Sequence, residues 1–553
     1  MLFSLLLLQA VFAPYSSAFA DPNAGELVYF DHLDAFGNLH GGQDQVFGTD
    51  NQLCAVGNAV EASGGPSIAS TAVTVRGSGP SSNRVDFVFL GDGYSAGELG
   101  RYASDVSQIS NSIFQQTPLY EYADYFNIHR IDLASLESGI DNDPVTGISK
   151  DTVLDSTLWC QGSAENVCTN VSKAWQYAAG SPGVEHIIVL ANSSQTGGAA
   201  YPFSDLSVVT SQQSGVADSL LHQLGHSFAD LADEYDAGSW PVYTGFEPAE
   251  PNASAQTAAA MQAQRLKWYR WLGADLGAPL GGMVGVFEGA MGHQTGVYRP
   301  TLNSKMRSLN GVFNLPSIES FIKQTYRLVR PIDDATPAEA VLTGRETIFV
   351  TPLRPRNHEL AVQWYMDGQP ISGATTPSFR PNDFPLTNGA HEFSVTVTDT
   401  TPWVRDEEFR AQFMTESRTW NATIDQRPPV IITQPTNQLV YPGDSARFFV
   451  VATGDDLRYQ WYKNGAPVSS ATLSSHQTPI VTRADSGSTF YVVVRNIAGS
   501  VTSATATLTI ANRPPTIGSL PNMQLVRGQS RGVQAVIPDL DRDSLSRTVA
   551  IES

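Results

Sequence analysis

Two nearly continuous apolar runs stand out in the first part of the chain. They cover residues 85–90 (VDFVFL) and residues 186–191 (HIIVLA), and the turn-like sequence GDGY follows the first run. Runs of this length and composition are typical of buried strands. Because segments with helical periodicity lie between and after them, the pattern predicts an α/β region over residues 82–330.

One segment of this region has apolar residues at helical spacing and predicts an amphipathic helix over residues 216–229. His222 and His226 lie one turn apart on it, so both imidazoles point the same way. This is the geometry in which two nitrogens from one helix hold a single Zn²⁺. Two histidines satisfied inside a core are the alternative.

Three acidic residues follow the histidines as candidates for a third ligand: Asp230, Asp233 and Glu234. An unbroken helix would place Asp233 roughly 16 Å along the axis from His222, too far for shared coordination. The helix must therefore end and the chain must turn back if Asp233 is a ligand.

Beyond Pro331 the pattern changes to alternating Val, Thr, Phe and Tyr with Pro and Gly turns, which predicts β-sandwiches. An internal repeat supports this, because QWYMDGQPI at residues 363–371 reappears as QWYKNGAPV at residues 460–468. Each copy places a tryptophan on a central strand, as immunoglobulin-like sandwiches do. Neither module contains cysteine, so the cores must depend on the packing of Trp364 and Trp461.

These patterns divide the chain into a multidomain protein. The predicted segments are a signal peptide at 1–20, a small β-rich domain at 21–81, the α/β region at 82–330, sandwiches at 331–426 and 427–512, and a partial third β module at 513–553. The first segment has a short apolar stretch and a small-x-small ending, which predicts a cleaved secretory signal, with a membrane anchor as the alternative. No later segment is apolar enough to span a bilayer.

The net charge bears on the possible binding partners of the protein, and the cysteine content bears on the cellular compartment in which it folds. The chain has 33 Lys and Arg against 54 Asp and Glu, a net charge of -21, which repels phosphate and argues against nucleic acid as a partner. Cys160 and Cys168 are close enough to form a disulfide in an oxidising compartment, which leaves Cys54 over. Pairing of Cys54 with either of the others is the alternative.

The last module has an alternating acidic pattern, Asp539, Asp541 and Asp543. Alternating carboxylates can supply oxygen ligands to Ca²⁺. A solvated acidic turn is the alternative, and an EF-hand-like loop would also need a glycine and a distal glutamate that the sequence does not have.

The histidine segment HQLGHSFADLADEY resembles the zinc motif of the IgA peptidase family of bacterial metallopeptidases, which is similar to the metzincins. Other segments resemble that family in order and spacing: VDFVFLGDGYSAGEL, PLYEYADYFNIHRIDLAS, VFEGAMGHQTGVYRP and NSKMRSL. The resemblance covers about residues 25–425. It implies a metzincin-like zinc peptidase domain in a bacterial protein that is secreted or held at the cell surface.

The resemblance also implies roles for particular residues. The metal ligands fall on His222 and His226, with Asp233 as the third ligand and Glu234 in reserve. Two further residues have roles in the same resemblance. Met306 falls where a methionine turn would pack beneath the zinc site, and Tyr298 is a candidate donor to a developing oxyanion, with an ordinary buried tyrosine as the alternative.

The chain departs from the family at two positions of the motif. Gln223 stands where such enzymes have the glutamate that takes a proton from zinc-activated water, and an amide has no basic group near neutral pH. Asp230 stands where the family usually shows glycine, although aspartate tolerates the left-handed conformation better than most residues. The sequence thus predicts a zinc site and questions its hydrolytic activity.

Three functions remain open. The first is a secreted zinc metallopeptidase that hydrolyses protein substrates, with another base such as Glu288. The second is a catalytically inactive relative that keeps Zn²⁺ and binds protein or glycan through its cleft and sandwiches. The third is an adhesin in which the α/β region is only a scaffold.

Overall fold

The computed structural model of the protein describes residues 26–33, 39–46, 71–236, 242–275, 277, 282–340, 342–514, 528 and 532. Several predictions lie outside these residues: the signal peptide at 1–20, Cys54, most of the partial module at 513–553, and Asp539, Asp541 and Asp543. Within the described ranges, no helix is both long enough and apolar enough to cross a membrane.

An eight-stranded mixed sheet organises the first part of the chain. Its strands are β1 (Glu26–Leu33), β2 (Leu39–Val46), β3 (Val73–Arg76), β4 (Val85–Asp92), β5 (Phe126–Ile131), β6 (His186–Ala191), β7 (Gly198–Tyr201) and β8 (Leu206–Thr210). They lie in the order β2-β1-β7-β8-β6-β4-β5-β3. The four strands β8, β6, β4 and β5 are parallel, and antiparallel strands extend the sheet on both sides.

Helices cover both faces of this sheet, which makes the region α/β as predicted. The helices of the structure are α1 (Leu99–Ile113), α2 (Val171–Ala178), α3 (Val216–Ser227), α4 (Ala258–Gln264), α5 (Leu315–Leu328) and α6 (Glu407–Phe413). Side chains of β4 alternate between two cores, because Phe87 and Phe89 pack with α1, α3 and α5 whereas Val88 and Leu90 pack with α2. The helix predicted over residues 216–229 is confirmed as α3.

The described strands of residues 21–81, where a small β-rich domain is predicted, join the sheet of the α/β region. Strand β1 pairs with β7, and β3 pairs with β5, so the described strands of this segment belong to the same sheet as the α/β region. Val28 and Phe30 of β1 are buried in the core on the α2 face. The sequence pattern did not indicate this, because strand partners are chosen by tertiary contacts far along the chain.

A hairpin and the first sandwich follow the α/β sheet. The hairpin consists of β9 (Phe287–Ala290) and β10 (His293–Arg299). The sandwich has one sheet of β11 (Ile332–Ala335), β12 (Ile348–Pro352) and β15 (Ser378–Phe379), and another of β14 (Gln369–Pro370), β13 (Ala361–Met366), β16 (Gly389–Thr398) and β17 (Thr415–Ile424). Trp364 and Trp420 are buried between the two sheets.

The second sandwich repeats this plan. Its largest sheet contains β19 (Gln438–Val440), β27 (Ala506–Ile510), β25 (Thr489–Asn496), β22 (Arg458–Lys463) and β23 (Ala466–Pro467), with β26 (Gly499–Thr502) beside β25. Two strand pairs complete it, β18 (Val430–Thr433) with β21 (Val451–Thr453) and β20 (Arg447–Phe449) with β24 (Ser475–Gln477). The chain is therefore a β-rich multidomain protein with immunoglobulin-like sandwiches.

A buried polar cluster, here called the His358 clamp, joins the α/β region to the first sandwich. The His358 ring lies 2.7 Å from Glu121 Oε1 through Nδ1 and 2.9 Å from Asp399 Oδ1 through Nε2. The hydroxyls of Tyr122 and Tyr326 donate to Asp399 Oδ2 at 2.9 and 2.7 Å. Glu121 and both tyrosines come from the α/β region, so the clamp ties the two parts together.

Candidate metal centre

Helix α3 carries the two histidines of the candidate site. His222 and His226 are fully buried at 0% exposure, and their Nε2 atoms lie 3.1 Å apart. Residues four apart lie on the same face of a helix, and the apolar face of α3 is packed against β7 and β8. The fold thus holds both imidazoles on the inner side of the helix.

The chain turns back directly after α3, as a third ligand from residue 233 requires. Asp230 adopts a left-handed conformation with φ 54°, and the Leu231 N–H donates to the Gly225 carbonyl at 2.8 Å. The reversal brings Asp233 Oδ1 to 3.3 Å from His222 Nε2 and 3.2 Å from His226 Nε2. The aspartate in the glycine position therefore supports the turn, and its side chain accepts a hydrogen bond from Gln324.

The hydrogen bonds of the histidines decide which ring atoms face the centre. His222 Nδ1 lies 3.0 Å from the Lys305 carbonyl, and His226 Nδ1 lies 2.7 Å from the Leu231 carbonyl. A carbonyl can only accept, so each Nδ1 carries the proton and each neutral ring presents a lone pair at Nε2. Asp233 Oδ1 is buried and receives no hydrogen bond from the described residues.

Three acceptor atoms thus converge in a buried space, two imidazole nitrogens and one carboxylate oxygen. All three lie within 4.8 Å of one another. A divalent cation stabilises nitrogen and oxygen lone pairs that converge in a low-dielectric interior. The donor set of nitrogen and oxygen fits Zn²⁺.

Glu234, the reserve ligand, is used elsewhere. Its carboxylate accepts hydrogen bonds from Asn252 Nδ2 at 3.0 Å, Ser304 Oγ at 2.8 Å, and Asn314 Nδ2 at 2.9 and 3.1 Å. Burial raises the pKa of Glu234, while these donors oppose the shift. The carboxylate fixes the chain next to Asp233, and the structure brings Asp233 to the histidines.

The loop at residues 303–309 supports the centre from below. Met306 is fully buried, and a Cβ added at Gly225 would lie 2.5 Å from its sulfur. The Met306 carbonyl accepts from the Glu234 N–H at 2.8 Å, while the neighbouring Lys305 carbonyl accepts from His222. One short loop therefore contacts both the helix and the returning chain, which suits the packing role predicted for Met306.

Gln223 lies between the helix and the strand β7. It is 1% exposed, and a Cβ added at Gly198 would lie 3.1 Å from Gln223 Nε2. The close approach explains why the strand has glycine there. Gln223 thus follows His222 in sequence and packs against β7 in space.

The sequence analysis missed one residue of the site, Tyr29 on β1. Its ring stacks on the His226 ring with centroids 4.2 Å apart and an interplanar angle of 15°, and its hydroxyl donates to Glu250 Oε1 at 2.9 Å. Burial raises the pKa of Tyr29 far above its ordinary value, so the hydroxyl keeps its proton. No local pattern could indicate this contact between distant parts of the chain.

Tyr298 and Glu288 lie outside the group of three ligand atoms. They are partners on the hairpin, where Tyr298 is partly buried and its backbone N–H donates to Ser254 at 2.8 Å. Glu288 is exposed and accepts from the Gly296 N–H at 3.0 Å. The roles of donor and substitute base stay predictions.

A disulfide joins Cys160 to Cys168, with Cα atoms 5.8 Å apart. Both cysteines pack against the core on the α2 face. The bond lies within a long connection between β5 and α2 that has little regular structure of its own. A covalent link there reduces the freedom of the unfolded loop.

Two histidines on one helix with a returning carboxylate are the ligand pattern of a metal-dependent hydrolase. Residues 73–281 match the family model described as IgA Peptidase M64, and the resemblance to that family is confirmed. The matched segment contains all three candidate ligands and Gln223, and it ends before Tyr298 and Met306. Residues 73–281 are therefore similar to a peptidase family.

No curated protein matches the chain. Among solved structures, the chain is similar to Sidekick-1 immunoglobulin domains 1-5, with 17% identity, 32% of this chain and 39% of that chain covered, and a TM-score of 0.20. It is also similar to tandem Ig repeats of Dlar, with 15% identity, coverage of 31% and 93%, and a TM-score of 0.15. Titin M4 gives 22% identity, coverage of 16% and 99%, and a TM-score of 0.14.

Proposed function

We propose that the protein binds one zinc ion through His222, His226 and Asp233, and that it is a peptidase-type protein whose hydrolytic activity is suppressed. The observation that carries the proposal is the convergence of three buried ligand atoms, in a motif whose sequence has an amide, Gln223, at the position of the proton acceptor. The family match over residues 73–281 supports the peptidase-type site.

The residues around the centre explain the suppression. Zinc, when bound, supplies a Lewis acid that polarises a peptide carbonyl and activates water. The Nδ1–H groups of His222 and His226 stay bonded to carbonyls, and their Nε2 atoms would be ligands of the zinc, so neither ring would be available to take a proton. Gln223 can donate or accept a hydrogen bond but cannot hold the proton and pass it to the leaving amine.

The second candidate is an active zinc peptidase of protein substrates that uses another base. The family match favours it, because the matched segment is that of a peptidase. Glu288 is the carboxylate suggested for this role, and it is exposed on β9. Both candidate functions require bound zinc, but only the second includes hydrolysis of peptide bonds by the unaltered chain.

Zinc content tests the metal site. The unaltered chain should retain about one zinc ion after dialysis, because two imidazoles and a carboxylate form a site of structural or catalytic type. His222→Ala and His226→Ala should retain almost none, measured by mass spectrometry of the metal. His391→Ala is the control, since that ring pairs with Asp367 in the first sandwich. Equal zinc in all four proteins would contradict the site.

Hydrolysis of a general protein substrate separates the two candidates. Gln223→Glu should cleave at least about 100-fold faster than the unaltered chain, which is the lower range for a restored general base. Gln212→Glu adds the same charge at an exposed position and should leave the rate unchanged. Comparable cleavage by the unaltered chain and Gln223→Glu would support the second candidate instead.

We also propose secretion through the signal at residues 1–20 and the domain boundaries at residues 330, 426 and 512. The sandwiches then serve as spacers or as binding units for proteins at the cell surface.

A further inference from the structure

Strand β1 covers the candidate zinc centre through the Tyr29 ring, which stacks on His226. The stacked ring of Tyr29 is 3% exposed, and the three candidate ligands beneath it are 0 to 2% exposed. A site that acts on a peptide needs an open coordination position and a path for the chain. In this arrangement β1 blocks that path.

The same strand, paired with β2 on its other side, lies against β7, the strand that Gln223 contacts. Tyr29, Phe30 and Asp31 pair antiparallel with Ala200, Ala199 and Gly198 of β7. Without β1, the unpaired N–H and C=O groups of β7 would form an open edge beside the centre. Open edges of this kind bind extended peptides by adding a strand. In this protein, β1 of the same chain pairs with β7 at the position that such a peptide would take.

Successive side chains of β1 point to opposite faces of the sheet and make different contacts. Val28 and Phe30 are buried in the α2-side core, at 0 and 3% exposure, and anchor the strand. Tyr29 points to the histidines, and its hydroxyl donates to Glu250. The anchor on one face therefore keeps the cover in place on the other.

We propose that β1 is an internal cover of the zinc centre, which must leave β7 before a peptide or a chelator can reach the metal. The inference rests on the proposed zinc site. The partner that competes with β1 is an extended peptide that runs antiparallel to β7 and places an aromatic side chain on His226. Hydrolysis by Gln223→Glu is then limited by the same opening.

The rate of zinc release to an excess of chelator tests the cover without any catalytic readout. Tyr29→Ala should release zinc at least about 10-fold faster than the unaltered chain, a change of about 1.4 kcal/mol in the opening equilibrium. Phe30→Ala should also release zinc faster, because it removes a buried ring that anchors β1 on the other face. Tyr29→Phe keeps the stacked ring and should stay close to the unaltered chain.

Two results separate the cover from the metal site itself. If every protein binds zinc, and Tyr29→Ala and the unaltered chain release it at equal rates, the proposed cover is contradicted and the zinc site is not. Absence of zinc from all of them would overturn the proposed site and the cover together.

Hydrogen exchange on the unaltered chain gives a second measurement in case Tyr29→Ala fails to fold. The amides of residues 29–31 and 198–200 should exchange with the same denaturant dependence as zinc release, because one opening controls both. Zinc release that is much faster than exchange of these amides would show that the metal leaves while β1 is in place, which contradicts the cover.

Discussion

At the scale of single residues, the centre depends on small side chains placed where larger ones would clash. Gly225 lies between the two histidines and faces the Met306 sulfur, and Gly198 faces Gln223. Asp230 accepts the left-handed conformation that ends α3. The site therefore depends on small residues as well as on its ligands, because the backbone at Gly225 and Gly198 must pass close to the Met306 and Gln223 side chains.

Gly225→Ala should destabilise the protein and weaken zinc binding. The new Cβ would lie 2.5 Å from Met306 Sδ, and overpacking of this kind costs roughly 1–3 kcal/mol, which outweighs the gain in helix propensity of about 1 kcal/mol. Thermal unfolding and zinc titration measure both effects. Gly100→Ala on α1 is the control, because a Cβ there meets nothing within 4 Å and should be neutral or stabilising. A neutral Gly225→Ala would contradict the packing role of Met306.

At the scale of elements, the two sandwiches share the same buried tryptophan and the same hydrogen bond from its indole. Trp364 Nε1 donates to the Thr376 carbonyl and Trp461 Nε1 donates to the Leu473 carbonyl, each at 2.9 Å and each twelve residues further along. Both indoles are fully buried. The internal repeat of the sequence thus encodes a repeated core in which tryptophan takes the place of a disulfide as the central contact.

Trp461→Phe should loosen the second sandwich and leave the zinc centre intact. The change removes a buried hydrogen bond and leaves a cavity, with a combined cost of roughly 2–4 kcal/mol. Hydrogen exchange of the β22 and β25 amides should become faster, while zinc content should not change. Phe449→Leu on the exposed side of β20 is the control. Unchanged exchange in Trp461→Phe would contradict the central role of the indole.

Elements with a strong local pattern were predictable from the sequence, and contacts between distant elements were not. The spacing of apolar residues gave α3, and the axial distance between His222 and Asp233 required the turn that Asp230 makes. Spacing could not separate Asp233 from Glu234, because adjacent residues differ only in the direction of their side chains after a left-handed turn. The pairing of β1 with β7 leaves no periodic signal, so Tyr29 was missed.

At the scale of the whole molecule, the His358 clamp makes the contact between the α/β region and the first sandwich sensitive to pH. Hydrogen bonding to Asp399 and the nearby carboxylates raise the pKa of His358, although partial burial opposes the shift. Burial opposes ionisation of Asp399, but the hydrogen bond and charge of His358 hold the pKa of that carboxyl below its usual range. A charged imidazolium between two carboxylates satisfies every partner of the cluster.

The stabilisation by the clamp should be greatest between about pH 4 and pH 6.5, the ordinary pKa values of Asp and His. The His358 contribution is complete below the ordinary histidine pKa and is lost as pH rises through its raised value. The Asp399 contribution is present above the ordinary aspartate pKa and is lost as pH falls through its lowered value. The thermal unfolding midpoint of His358→Gln should therefore differ most from that of the unaltered chain near pH 5–6.

His391→Gln is the matched control for the clamp, because His391 pairs with the exposed carboxylate of Asp367 within one sandwich. Its unfolding midpoint should follow that of the unaltered chain across the pH range. A difference for His358→Gln that is the same at pH 5 and pH 9 would contradict the charged form of the clamp.

The Lys305 carbonyl that orients His222 lies 83 residues after it in the chain. A growing polypeptide can fold α3 as soon as that helix is made, but the imidazole has no fixed tautomer until the Met306 loop has been synthesised and has docked. The proposed zinc site is therefore complete only after most of the α/β region has been synthesised. Zinc content would then show that the chain has folded as far as the Met306 loop. A chain truncated before residue 303 should therefore be purified without zinc.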